Sequence, residues 1–72
     1  MTKEELYTAI ESANSRGATI ASELKAIEEN YTGDELITQI DYINLTVENL
    51  LTGDEDVKAN VVTLCDMIRE NG

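Results

Sequence analysis

The chain has 72 residues, with fifteen Asp and Glu against five Lys and Arg and a net charge of −10 at pH 7. This balance disfavours direct contact with DNA, RNA or an anionic membrane, because phosphate binding needs clustered Lys and Arg; it favours basic surfaces, including those of proteins that themselves bind nucleic acid. One domain over 1–72 is expected, and a chain this short buries only about 60% of the surface its unfolded form exposes.

Apolar spacing predicts an all-α fold. In the first segment Leu6, Ile10, Ala13, Gly17, Ile20, Leu24, Ile27 and Tyr31 follow alternating steps of four and three, a heptad seam. Thr2-Lys3-Glu4-Glu5 ahead of it fits the capping box, in which a Ser or Thr covers the first free amides and a Glu three residues on reaches back. The spacing predicts a first helix over about residues 3–30, roughly 40 Å long at 1.5 Å per residue. Its weak point is Ser12-Ala13-Asn14-Ser15-Arg16-Gly17, a run of poor helix formers whose glycine costs about 1 kcal/mol relative to Ala in a helix interior. A break there would give four helices, but the seam keeps phase through Gly17 and favours continuity.

Leu36, Ile40, Ile43, Val47 and Leu50 set a second helix over about 33–51, and Val57, Val61, Leu64 and Ile68 a third over about 54–70. Each follows the same tetrapeptide, Thr32-Gly33-Asp34-Glu35 and Thr52-Gly53-Asp54-Glu55. Both copies fit the capping box. Asp34, Asp54 and Asp56 suit the positive end of a helix dipole, and Tyr31 and Leu51 stand at the hydrophobic-staple position. A pair of calcium loops is the alternative, but the D-x-[DN]-x-[DN]-G pattern and His are both absent. The expected fold is a small antiparallel three-helix bundle with one long and two shorter helices and coiled-coil-like packing. No cofactor and no metal are expected.

A lone Cys65 beside the third seam makes no internal disulfide and reads as a small buried residue. With no apolar signal stretch or membrane-length run, the expected compartment is the reducing cytoplasm. The sequons at Asn30 and Asn44 then read as chance matches.

Three features can carry function. Ala9, Ala13, Gly17 and Ala21 recur every fourth position on the first helix, a row without bulk that lets another helix come close, in this chain or in a homodimer. Tyr42 and Leu45 fall off the second seam, with Asp41 and Glu48 nearby, and suggest a contact surface; Val62 is similarly off the third. The acidic surface, including Glu4, Glu11, Glu23, Glu29 and Glu70, reads as solvation or as mimicry of nucleic acid. Without His, a phosphate loop or a metal ligand set, an enzyme is not expected. The preferred reading is a small acidic protein that binds and modulates another protein, of a kind common among phage and mobile-element proteins. The alternatives are a nucleic-acid-mimicking inhibitor and a homo-oligomeric assembly factor.

Overall fold

The computed structural model describes residues 1–71, in which four helices and no strand occur: α1 (Lys3–Ala13), α2 (Ser15–Asn30), α3 (Gly33–Leu50) and α4 (Glu55–Asn71). The all-helical expectation is met; the three-helix one is not. The predicted long first helix is two helices, because Asn14 leaves helical geometry at φ −168° and ψ −179°. Its side-chain Oδ1 accepts from the Gly17 amide at 2.9 Å and its carbonyl from the Ala18 amide at 3.0 Å, which makes it the N-cap of α2. Nor would a helix of about 40 Å fit within a molecule whose longest extent is 31 Å.

The seam ran through the break without losing phase because both halves face one core. Leu6 and Ile10 on α1 and Gly17, Ile20, Leu24 and Ile27 on α2 are all buried, whereas Ala13, the seam member at the break, is exposed. Gly17 is where the backbones approach. A Cβ there would overlap the carbonyl oxygen of Ile10, and a backbone atom cannot swing aside as a side chain can. Lys3 Nζ, near the start of α1, meets Glu28 Oε2, near the end of α2, at 2.8 Å. The Tyr7 hydroxyl donates to Glu28 Oε1, and Lys25 lies 5.4 Å from the centre of the Tyr7 ring. The two helices therefore run back along each other.

Only the first of the three expected capping boxes is formed: Glu5 N donates to Thr2 Oγ1 at 3.2 Å and Thr2 N to Glu5 Oε1 at 3.0 Å. Thr32 precedes α3, but its side chain makes no cap bond. Gly33, which follows it, has φ +59°. Thr52 serves the preceding helix instead, its hydroxyl donating to the Asn49 carbonyl at 3.2 Å. Leu51 is fully buried as α3 ends, and Gly53 at φ +93° turns the chain into α4. The repeated tetrapeptide is punctuation in both places, with its glycine as the common working part.

One cluster draws on all four helices: Leu6, Tyr7 and Ile10; Ile20, Ala21, Leu24 and Ile27; Leu36, Ile40 and Val47; Val57, Val61, Leu64, Cys65 and Ile68; with Leu51 between α3 and α4. Each helix packs on two others, α1 on α2 and α4, α3 on α2 and α4. Arg16 donates to the Leu50 carbonyl at 3.1 Å, fixing the start of α2 to the end of α3, and Arg69 on α4 pairs with Asp41 on α3 at 2.7 Å.

Two stability outcomes follow. In a continuous helix Gly17→Ala would stabilise by about 1 kcal/mol; at this close approach it destabilises by about 1–3 kcal/mol, as read from the urea midpoint. Thr2→Ala costs about 1 kcal/mol, whereas Thr32→Ala, which breaks no cap bond, changes the midpoint by less than about 0.5 kcal/mol.

Candidate functional site

No residue of the core is polar or charged among those described, so recognition chemistry falls to the surface. Its most apolar part is on α3. Tyr42 and Leu45 are 70% and 69% exposed, because the seam that binds α3 to the core runs through Leu36, Ile40 and Val47 on the other side. The positions 41, 44, 45 and 48 follow the i, i+3, i+4, i+7 spacing of one helix stripe. Asp41, Asn44, Leu45 and Glu48 form one wall of an open groove of about 400 Å³, which Val62, 36% exposed, closes from α4. Tyr42 lies outside that lining, three residues before Leu45.

The groove's charge is negative. Asp41 Oδ1 is held by Arg69 Nη2 at 2.7 Å, and Arg69 Nη1 also reaches Asp66 at 3.7 Å. Glu48 makes no ion pair among the described residues. Asn44 Oδ1 is buried and finds no hydrogen-bond partner in the chain. A groove this open does not enclose a small ligand, which ordinarily loses most of its surface to a pocket.

Three of the four residues singled out for partner binding, Asp41, Leu45 and Glu48, thus come together, with Tyr42 exposed beside them. Asn44 was missed, although its register with 41 and 48 is a legible signal. Val62 was noted as off its seam, but its meeting with Leu45 depends on how α3 and α4 pack. The small-residue row is divided by the break at Asn14. Ala9 is half-buried and Ala13 exposed on α1, whereas Gly17 and Ala21 are buried within the chain on α2. They do not form one continuous face.

The remaining exposed large apolar residues stand apart from this face: Met1 near the start of the chain and Leu50 beside Arg16. No three of the described His, Cys, Asp and Glu residues gather as metal ligands would. No described helix is long and apolar enough to cross a membrane. No protein-family model, no curated protein and no solved structure matches this chain.

Cys65 is fully buried, and burial pushes its thiol up to about 11 from an ordinary value of 9.0. A raised folded-state value means that the stability associated with the neutral thiol is complete below pH 9 and is lost as pH rises from there toward 11. Tyr7, raised first by burial and then by its bond to Glu28, adds a loss of the same sign above about pH 10. Native protein is expected to react with a thiol reagent far more slowly than protein in urea. Cys65→Ala is expected to flatten the fall in urea midpoint that begins near pH 9; an unchanged slope would show that the thiol is not the titrating group.

Proposed function

We propose that this chain is a small, acidic, non-enzymatic protein that binds and modulates another protein through the α3–α4 face centred on Leu45. The observation that carries the reading is the pairing of two highly exposed large apolar side chains, Tyr42 and Leu45, with a groove lined by Leu45, Val62 and two carboxylates. Single exposed apolar residues are ordinary. Here Leu45 and Val62 meet in one groove, with Tyr42 exposed three residues before Leu45 on α3, while the core seam of α3 is already filled. An aromatic and a large aliphatic residue ringed by polar groups is the composition of an interface centre. Net charge of −10 adds selection for a partner with a basic surface and speeds encounter with it.

The test is capture from the source cell's lysate with tagged wild-type protein and with the Tyr42→Ala/Leu45→Ala double variant, washed in parallel at low and high salt. Both positions are exposed and Ala is the better helix former, so the variant should keep its helical circular dichroism and its thermal midpoint. One protein held by wild type through high salt, and reduced about tenfold or more in the variant, is the expected result. Equal capture by both would remove this face from the reading. If the variant unfolds, the two side chains belong to the core. Release of everything at high salt would favour mimicry of nucleic acid by the acidic surface.

A further inference from the structure

We infer that the α3–α4 groove takes an amphipathic helix from a basic partner protein, with a large apolar side chain seated between Leu45 and Val62 and a Lys or Arg beside Glu48. The inference rests on the α3–α4 face being the docking surface and specifies what occupies it.

Geometry supplies the first argument. The α3 wall extends from Asp41 to Glu48, eight residues whose seven steps rise about 10 Å. That length matches two turns of a helix laid alongside it, whose anchors recur at i, i+3 or i+4, and i+7. The apolar floor contributed by Leu45 and Val62 lies between the two acidic ends of that wall.

Charge supplies the second. The lining has two carboxylates and no basic side chain. Asp41 is already neutralised by Arg69; Glu48 is not paired within the chain, so a cation on the partner has a vacant counter-charge at this end. Lys58 stands one turn before Val62 on α4, outside the lining.

A second copy of the chain fits less well. It would set two molecules of −10 and two acidic rims against each other, and like charges juxtaposed across an interface cost free energy. It also brings few free cations, since Lys3, Lys25 and Arg69 are ion-paired at home.

The experiment titrates two synthetic helical peptides into isotope-labelled full-length protein and follows the backbone amides by NMR. Both peptides carry the same Leu stripe; one has Lys flanks, the other Glu. The Lys peptide is expected to move the amides of Asp41, Asn44, Leu45, Glu48 and Val62 before those of α1 and α2. Leu45→Ala should weaken it about tenfold, and Glu48→Gln about two- to fivefold. Equal binding of the Glu peptide at the same amides would overturn the basic partner while leaving the docking face in place. If neither peptide moves those amides and the Tyr42→Ala/Leu45→Ala variant captures partners as wild type does, both readings fall. Lys-peptide shifts spread evenly over Glu4, Glu23 and Glu29 would show attraction to net charge alone and overturn the site. Concentration-dependent shifts of the groove amides without peptide, with a dimeric mass in solution, would assign the groove to a second copy.

Discussion

Helix α2 lies back on α1 because position 17 has no side chain: Gly17 sits against the Ile10 carbonyl where any Cβ would collide. The single extended residue Asn14 makes the reversal and caps the helix that follows. Much else depends on that close contact. It shortens the first segment to two elements that fit a molecule 31 Å long, brings the Lys3 and Glu28 side chains together across the helix pair, and lets Leu6, Ile10, Ile20 and Leu24 face a common interior. A longer connection would spread the same apolar residues over a helix pair too open to bury them, and a domain this small has little margin for that.

Four of the five basic residues are placed at the joints. Lys3 and Lys25 pair with Glu28 and Glu11 across α1 and α2, Arg16 reaches the end of α3, and Arg69 ties α4 to Asp41. All are at least partly exposed, and such pairs contribute little each, about 0–1 kcal/mol; the apolar cluster supplies the stability. Their larger effect is on the surface that remains. With four of the five basic residues engaged within the chain and acidic residues three times as many, Glu4, Glu23, Glu29, Glu48 and Glu70 have no ion-pair partners in the described structure. The field that an approaching molecule meets is therefore acidic over most of the surface. At physiological salt it decays within about 8 Å, a range suited to steering an encounter more than to holding a complex.

How legible this was in the residues depended on the range of the interaction. Local periodicity was read well: the seams through Leu36, Ile40 and Val47 and through Val57, Val61, Leu64 and Ile68 are buried as their spacing required. The outward direction of Tyr42 and Leu45 followed from the same rule. The break at Asn14 was not resolved, because a reversal that returns to the same core preserves the four-three phase, and phase alone cannot tell a straight helix from a folded one. The decisive fact, Gly17 against Ile10, is a tertiary contact. The capping motifs failed for a related reason. Thr2, Thr32 and Thr52 occupy equivalent patterns, yet Gly33 at positive φ and the bond from Thr52 back to Asn49 make three different ends of one pattern. At the end of α3 the seam predicted Leu50 inside, but the chain leaves the helix there and Leu51 is buried while Leu50 is 47% exposed. The meeting of Val62 with Leu45 required the register of α3 against α4, which no local pattern carries.

Packing alone does not account for the α3–α4 face. The interior seam of α3 is complete with Leu36, Ile40 and Val47 buried and Ile43 packed against them, so Tyr42 and Leu45 add nothing to the core. On a domain of 72 residues they expose apolar surface that in free protein favours aggregation. The strong net charge offsets that tendency through mutual repulsion of like molecules. Those two properties are coupled. Like charge opposes the approach of a second copy to Leu45 and Val62, whereas the basic partner of the proposed function would meet no such barrier. On the proposed function, the exposed apolar pair and the acidic surface would be two parts of one selection, the first supplying contact area and the second deciding which molecules reach it.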